Sequence, residues 1–284
     1  MFALFHVGRA RHRASQPQEI VPGVYCMETG KGTTRSNVYF VRSGSSWVLI
    51  DTASANCGRL IQKAAVSLFR ANTPPAALLL THTHPDHAGS ALELARMWGC
   101  PVYVHPDELP LAGADEADLD SYLSTVKEYA NPLDRWVILP LLRVMPPRAR
   151  ESMLSKTSLK DVARAFDPSA GVPGLPDWEC IPTPGHTPGH VAFFRNRDRV
   201  LIAGDAVLAV QLNSWWGFLL WGFRRNKQRL SGPPWYTSWD WRAAKESVAP
   251  LARLEPRVLA CGHGLPMSGT GTAHELRTFA DHFR

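Results

Sequence analysis

The sequence predicts an α/β protein in which two β-sheets lie face to face between outer layers of helices. Predicted strands and helices alternate in the first half of the chain, and a second set of strands and helices follows residue 178, which is the order expected for such a sandwich. The 284 residues are 45% hydrophobic and 20% charged, so the chain can bury a substantial core. We expect a single domain over residues 1–284.

In the first half, short apolar runs predict strands, and longer stretches with one apolar face predict helices. The predicted strands are Gly23–Glu28, Asn37–Arg42, Trp47–Asp51, Ala77–Leu80 and Pro101–His105. The predicted helices are Asn56–Arg70 and His87–Trp98. A hairpin turn is predicted at Ser43–Ser46, and Gly99 is expected to end the second helix.

Regular elements resume after a long proline-rich stretch, which we interpret as an insertion with one or two helices. The predicted strands of the second half are Trp178–Thr183, His190–Arg195, Arg199–Ala203 and Arg257–Cys261. The predicted helices are Asp240–Leu254 and Ala273–Phe283.

Charge and cysteine content narrow the protein class only modestly. The formal net charge of +6 is compatible with an anionic substrate, a nucleic acid or an acidic membrane surface, and selects none of them. Five cysteines without C-x-x-C spacing argue against a disulfide framework and suit a reducing compartment, so we expect a cytoplasmic protein. Arginines follow the short apolar N-terminus rather than precede it, unlike in a secretory signal, and no run is long enough for a membrane span.

The most informative segment is the sequence THTHPDH, which begins at residue 81. Imidazole and carboxylate groups are the usual ligands of Zn²⁺ and similar divalent ions. In an extended segment His82 and His84 point the same way, whereas a turn can aim the adjacent Asp86 and His87 at a second nearby point. The apolar run before the motif predicts a buried strand, and open α/β sheets place their sites at such carboxyl ends.

Three later segments each place a ligand-type side chain where a predicted strand ends. His186 lies in the sequence PTPGHTPGH, where proline and glycine favour a tight loop. Asp205 follows the apolar run LIAG, and His263 lies between two glycines after the run VLAC. Taken alone, Asp205 is as well explained by a helix cap, and His263 by a turn. Seven ligand-type residues at strand ends favour a metal site.

These motifs resemble those of the metallo-β-lactamase fold hydrolases, in the same order and with similar spacing, from about residue 20 to residue 265. The resemblance implies a four-layer αββα sandwich of two mixed β-sheets flanked by helices. It also implies a dinuclear metal site in the cleft at the sheet edge.

The resemblance further implies how the ligands are shared between two ions. The first ion would be held by His82, His84 and His186. The second would be held by Asp86, His87 and His263, and Asp205 would bridge the two. Asp51 matches an early aspartate of the family and is expected to orient a ligand histidine, with a plain helix or turn cap as the alternative.

The implied chemistry is metal-assisted hydrolysis. Two divalent ions roughly 3.5–4 Å apart lower the pKa of a bridging water, and the resulting hydroxide attacks a carbonyl or phosphoryl centre. The expected catalytic residues are Asp205, which bridges, and Asp86, which carries a proton to the leaving group. Zinc is the expected metal, with manganese and iron as alternatives. The expected substrate is a small-molecule ester, thioester or lactone with an apolar or acyl part.

The branch of the family is less clearly marked, although glyoxalase II and lactonase-like enzymes are the nearest in pattern. Glyoxalase II enzymes carry a C-terminal helical extension, whereas only twenty residues follow Gly264, and Thr83 stands where they usually have histidine. The acyl-homoserine lactonases carry a tyrosine where this chain has Leu208. True β-lactamases are mostly exported. The last ligand loop ends in His190 where serine is commoner, and we expect that histidine to be structural or to orient a ligand.

Two stretches, residues 106–176 and 206–235, are predicted as insertions that cover the cleft. They carry the apolar runs Trp136–Leu142 and Trp215–Phe223, the second of which is too short to span a bilayer. A lid, an acyl-binding wall, a peripheral membrane contact and a homodimer interface are the alternatives to ordinary core for Trp215–Phe223.

Three other functions stay open at the level of the sequence. The basic cluster Arg224–Arg229 motivates a metal-dependent phosphodiesterase or nuclease, although a solvated basic face is its ordinary explanation and nucleic acid is not the expected partner. A single iron held by two histidines and an aspartate would indicate a persulfide dioxygenase. A binding protein that has lost activity is the third alternative, and the complete set of seven ligands argues against it.

Overall fold

The computed structural model describes residues 16–30, 35–113, 124–125, 127–146, 158–212 and 229–283. Seven of the described strands form one mixed sheet, which is antiparallel from its first to its fourth strand and parallel from its fourth to its seventh. In spatial order these strands are β1 (Gln18–Val21), β2 (Val24–Thr29), β3 (Ser36–Ser43), β4 (Ser46–Ile50), β5 (Ala77–Leu79), β6 (Val102–Val104) and β7 (Ala163–Ala165).

Five further strands form the second sheet. In spatial order they are β12 (Met267–Ser268), β11 (Val258–Cys261), β10 (Val200–Gly204), β9 (Val191–Arg195) and β8 (Trp178–Pro182). The sheet is mixed because β10 and β11 run parallel while its other neighbouring strands are antiparallel.

Helices cover the outer faces of both sheets. The helices whose bounds lie in the described part of the chain are, in order, α1 (Gly58–Phe69), α2 (Pro85–Ala88), α3 (Ala91–Trp98), α4 (Leu109–Ala112), α5 (Leu139–Val144), α6 (Trp241–Glu246), α7 (Val248–Arg253) and α8 (Thr272–His282). None of the helices in the described part of the chain has the length and apolar character needed to cross a membrane.

The alternation of side chains along the strands produces three layers of core. In β3, Val38 and Phe40 pack with α1 and α3, whereas Tyr39 and Val41 point at the second sheet. In β10, Ile202 faces the first sheet and joins the same central core, while its neighbours pack on the other side beneath α7 and α8. Because both faces of both sheets are buried, the fold is the predicted four-layer αββα sandwich.

Two predicted helices are each divided in the structure. The helix predicted from His87 is α2 followed by α3, and only glycine fits at the intervening position 89, where a Cβ would overlap the backbone of Pro85 and Ala55. The helix predicted from Asp240 is α6 followed by α7, with Ser247 between them. Both divisions lie beside loops that carry ligand-type residues.

Residues 106–176 differ from the prediction of an insertion with one or two helices, since their described C-terminal part completes the sandwich. Strand β7 pairs in parallel with β6 at the edge of the first sheet, and Phe166, Val172 and Leu175 lie in the core between the sheets. Sequence patterns missed β7, β1 and β12 because these short strands contain no buried residue, unlike the equally short β5 and β6, whose buried apolar residues revealed them. The described α5 and the π-helical turn Asp134–Ile138 carry the Trp136–Leu142 run.

Residues 206–235 also lie partly in the protein core. Leu208 and Val210 are buried, and Leu208 pairs with Ser231 in an isolated antiparallel bridge. The runs Trp215–Phe223 and Arg224–Lys227 fall outside the described residues. The roles predicted for them stay predictions.

Candidate metal centre

The structure brings together all seven ligand-type residues predicted from the sequence. They follow β5, β8, β10 and β11, whose carboxyl ends meet at one edge of the sandwich. Three groups form in which the ligand atoms all lie within 4.8 Å of one another. They are His82 with His84 and His186, Asp86 with His87 and His263, and His82 with His87 and Asp205. We call the first the three-histidine group and the second the Asp86 group.

Asp205 lies between the two groups, where a bridging ligand would have to be. Its Oδ2 is 3.5 Å from His186 Nε2 and 3.2 Å from His263 Nε2, and its Oδ1 is 3.4 Å from His87 Nε2. One carboxylate thus reaches histidines of both groups. Asp86 Oδ2 is 3.3 Å from His263 Nε2, on the side of the Asp86 group alone.

The buried polar atoms that lack a hydrogen-bond partner indicate that this set of donors suits a cation. Four buried side-chain polar atoms of the described residues have no hydrogen-bond partner: His82 Nε2, His186 Nε2, Asp205 Oδ1 and Thr187 Oγ1. Three of the four belong to the seven-residue cluster. Leaving a buried polar atom unpaired costs about 1–3 kcal/mol, so the chain would have to tolerate several such costs at one point without an ion. A divalent cation coordinated by the three atoms of the cluster would remove their share of this free-energy cost.

Burial keeps part of the cluster in the form that binds metals. Burial, together with the neighbouring imidazoles of His87, His84 and His186, holds the pKa of His82 well below its usual value. Burial and the neighbouring His186 lower the pKa of His84 to about 3. Both rings are therefore neutral at physiological pH and can donate a lone pair.

Around Asp205 and Asp86 the electrostatic potential is strongly negative. Burial alone would lower the pKa of His263, but Asp205 and Asp86 raise it to about 10. The same two carboxylates and Asp51 outweigh burial at His87 and raise its pKa as well. Because the carboxylates favour positive charge so strongly here, the centre attracts cations.

Residues 81–87, a loop that runs into α2 and that we call the first ligand loop, are held by Asp51, the residue that follows β4. The Asp51 carboxylate accepts a hydrogen bond from the backbone N–H of Thr81 at 2.8 Å and lies 2.9 Å from His87 Nδ1. The Nε2 atom of His87 is thereby directed at Asp205. Asp51 therefore orients a candidate ligand, as the resemblance implied, and its contacts are not those of the alternative, a simple helix or turn cap.

The loop with residues 183–190, the second ligand loop, is fixed by the segment that enters α6. Trp239 N–H donates to the carbonyl of His186 at 3.1 Å, and Asp240 N–H donates to the carbonyl of Gly185 at 2.9 Å. Ser238 Oγ lies 3.3 Å from His186 Nδ1, and Ser247 Oγ donates to the carbonyl of Pro184 at 2.7 Å. The break between α6 and α7 thus supplies one of the anchors.

The sequence left two roles open for His190, a structural one and the orientation of a ligand. Its Nε2 accepts the backbone N–H of Asp205 at 3.0 Å, and its Nδ1 lies 2.7 Å from Thr183 Oγ1. Burial, with His186 nearby, keeps the pKa of His190 well below its usual value, so the ring is neutral and can accept that N–H. His190 belongs to none of the three ligand groups and instead places Asp205.

His263 is placed by Arg35, which precedes β3, and by Asn37 within β3. Its Nδ1 lies 2.5 Å from the backbone carbonyl of Arg35, which leaves Nε2 facing Asp205 and Asp86. Asn37 donates from Nδ2 to the carbonyls on both sides of this turn, those of Cys261 at 2.9 Å and Gly264 at 2.6 Å.

Glu108 is the functional-site residue that sequence reasoning missed most completely. Its side chain is fully buried and accepts hydrogen bonds from Thr83 of the first ligand loop and Gly189 of the second. A lone glutamate two residues after a proline has no distinctive sequence pattern. Asn37 and Ser238 were also missed, and only the polar Asn37 within an apolar strand could have drawn attention.

Fold and donor set together define an αββα sandwich with a candidate dinuclear metal centre. Residues 32–263 match the family model described as the metallo-β-lactamase superfamily, and the chain belongs to that superfamily. It is 35% identical over 251 residues to the probable metallo-hydrolase YflN of Bacillus subtilis, covering 87% of each chain.

Solved structures agree with this assignment at the level of the fold. A metallo-β-lactamase family protein from Thermus thermophilus aligns with a TM-score of 0.61 at 21% identity, over 93% of this chain and 79% of that one. A β-lactamase domain protein from Burkholderia ambifaria aligns with a TM-score of 0.61 at 19% identity, over 97% of this chain and 75% of that one. The comparisons confirm the predicted superfamily but do not specify the glyoxalase II or lactonase-like branch.

Proposed function

We propose that this metal-dependent hydrolase of the metallo-β-lactamase superfamily binds two divalent ions and cleaves an ester, thioester or lactone with an apolar or acyl part. The observation that carries the proposal is the cluster of seven donors in which Asp205 reaches both groups. The three-histidine group would hold one ion and the Asp86 group the other, with Asp205 shared. Zinc is the first choice for a set of histidines and carboxylates, and manganese and iron also suit it.

Bound ions would supply Lewis acidity and an activated water, so the chain needs no serine, cysteine or lysine nucleophile. The protein's own contribution is to fix the donors and to move a proton. Asp86 suits the second task because its side chain is 28% exposed, whereas that of Asp205 is 5% exposed. Asp86 is therefore placed to pass a proton between the centre and the leaving group.

An aromatic pocket beside the centre supports the apolar part of the substrate. It has a volume of about 430 Å³ and is lined by Trp136, Trp235, Trp239, Trp241, Arg135, Ser238, Ala130 and Pro132. Ser238 links the pocket to the centre, because its hydroxyl contacts His186 Nδ1. Indole rings offer a large contact area to an acyl or aromatic group, and Arg135 offers a positive charge at the rim.

Metal content tests the proposal directly. Protein purified without chelator and reconstituted with zinc, manganese or iron should carry close to two ions per chain, because two groups of donors share Asp205. Elemental analysis measures this ratio. One ion or none after reconstitution would contradict the dinuclear site, and a single tightly held iron would favour the oxidative alternative.

A substrate panel tests the reaction class separately. The reconstituted protein should hydrolyse carboxylic esters, thioesters or lactones with higher kcat/KM than bis(p-nitrophenyl) phosphate. The reverse order would replace the proposal with a phosphodiesterase. Loss of every hydrolytic activity despite two bound ions would favour a binding protein.

The pocket predicts a dependence on acyl chain length. Each methylene buried in it can contribute up to about 0.8 kcal/mol, or roughly fourfold in kcat/KM, so longer p-nitrophenyl esters should be better substrates than the acetate. Replacing Trp235 and Trp239 together by alanine should flatten this dependence without changing the metal content. The steady-state kinetics of an ester series measure both effects.

Met97→Ala provides the control, because Met97 is an exposed apolar side chain on α3, outside the pocket lining. It should leave the chain-length profile unchanged. An equal kcat/KM for short and long esters in the unmodified protein would contradict the role of the pocket. The tryptophans of Trp215–Phe223 lie outside the described residues, so the described Trp235 and Trp239 are the better targets.

A further inference from the structure

Glu108 connects the two ligand loops through one carboxylate. Its Oε2 accepts the backbone N–H of Thr83 at 2.9 Å and the Thr83 hydroxyl at 2.5 Å, and its Oε1 accepts the backbone N–H of Gly189 at 2.9 Å. Thr83 lies between His82 and His84, and Gly189 lies three residues after His186. A single side chain therefore contacts both loops that supply the three-histidine group.

The free-energy cost of burying the Glu108 carboxylate indicates that this side chain has a specific role. Glu108 is fully buried, and among the described residues no lysine, arginine or histidine forms an ion pair with it. Burying a carboxylate on neutral donors alone is expensive unless its hydrogen bonds are strong and well placed. A pair of neutral side chains would join two loops at lower cost, so the position favours a group with two acceptor atoms and a fixed span.

The surroundings leave little freedom to this contact. Glu108 ends the 3-10 turn Pro106–Glu108 that follows β6, and its backbone N–H donates to the carbonyl of His105 at 2.9 Å. A Cβ on Gly189 would lie 2.8 Å from Glu108 N and 3.0 Å from Glu108 Cγ, which is too close for any residue but glycine. The second ligand loop therefore packs directly onto the backbone that carries the carboxylate.

We propose that Glu108 is a positioning residue that sets the separation of the two ligand loops and thereby the geometry of the three-histidine group. The inference rests on the proposed metal-binding function. In the described structure, the Glu108 carboxylate forms its hydrogen bonds with Thr83 and Gly189 and none with the seven donors. It acts through Thr83 and Gly189, and it aligns His84 from one loop with His186 from the other before an ion binds.

Two substitutions test the length of the side chain and its charge separately. Glu108→Asp keeps the carboxylate but is one methylene too short to reach both loops. Glu108→Gln keeps the length, but its NH₂ group must face donors in one of the loops. If the fixed span with two acceptors matters, both variants should bind Co²⁺ at least about tenfold more weakly at the three-histidine group, within the 10–100-fold range of residues that orient ligands.

Co²⁺ titration, followed by visible absorption and by competition with a chelator, measures this affinity without any assay of activity. The same titration in a His263→Ala background isolates the three-histidine group, because that substitution removes a donor of the Asp86 group. Asp198→Asn is the matched control for stability. It removes the carboxylate whose Oδ2 lies 2.7 Å from Nη2 of the buried Arg195. Arg195 is the last residue of β9, at the end opposite the second ligand loop, so the substitution should destabilise the fold without changing Co²⁺ affinity.

The outcomes distinguish this inference from the proposed function. If the unmodified protein binds no Co²⁺, the proposed function fails and the role of Glu108 fails with it. If the unmodified protein binds two ions and either Glu108 variant binds them with unchanged affinity, the positioning role alone is wrong. A loss of affinity in Asp198→Asn as large as in the Glu108 variants would assign the effect to general stability and would also overturn it.

Discussion

Asp205→Asn should abolish nearly all turnover while leaving the fold intact. The amide has the shape of the carboxylate but lacks its negative charge, and Asp205 is the residue whose two oxygens approach His186, His263 and His87. Loss of the shared donor would weaken both groups at once. We expect kcat/KM to fall by on the order of 10³-fold or more, together with a loss of bound metal, because the centre supplies both nucleophile and electrophile.

The same substitution at Asp240 is the control. Asp240 caps α6, and its backbone N–H holds the second ligand loop, but within the described part of the chain its side chain accepts hydrogen bonds only from the N–H groups of Arg242 and Ala243. Asparagine is also a good N-cap, so Asp240→Asn should retain its metal and most of its activity. Circular dichroism and elemental analysis of both variants accompany the kinetics. Two bound ions and near-normal turnover in Asp205→Asn would exclude the bridging role.

Six of the seven candidate donors could be predicted from sequence because they follow the apolar strands β5, β10 and β11, whereas His186 was indicated by the proline and glycine residues of its loop. A buried strand leaves a strong local pattern, and a histidine or aspartate at its carboxyl end stands out against it. The H-x-H and adjacent D-H spacings also limit where the side chains can point, because residues 81–84 form a short loop that leads directly into α2. His82 with His84, and Asp86 with His87, accordingly fall into the groups that the resemblance implied.

The residues that hold the donors could not be predicted in this way, because their contacts are distant along the chain. Glu108 and Gly189 are 81 positions apart, and Asn37 and Gly264 are 227 apart. No local pattern marks such pairs. Strand β7 was missed for a related reason, because its residues Ala163–Ala165 form no buried apolar run and its place depends on pairing with the distant β6.

Replacing Gly185 should cost the three-histidine group its metal ion, although Gly185 is not a ligand. Its φ is +126°, and a Cβ there would overlap the backbone N and Cα of Ala244 in α6. Gly185→Ala must therefore push the second ligand loop away from α6, and His186 is the next residue. We expect the three-histidine group to lose its ion, kcat/KM to fall by on the order of 10²-fold, and the free energy of unfolding to drop by more than backbone strain alone explains.

Gly269→Ala measures that backbone strain by itself. Gly269 has nearly the same φ of +127°, but a Cβ there would have no neighbour within 4 Å. The strain should cost about 1–3 kcal/mol and leave both ions bound. Urea denaturation and elemental analysis of the two variants give the comparison. If Gly185→Ala loses no more stability than Gly269→Ala and keeps both ions, the contact with α6 does not position His186. A larger loss of stability accompanied by a missing ion would show that the packing of α6 against a single Cα maintains the three-histidine group.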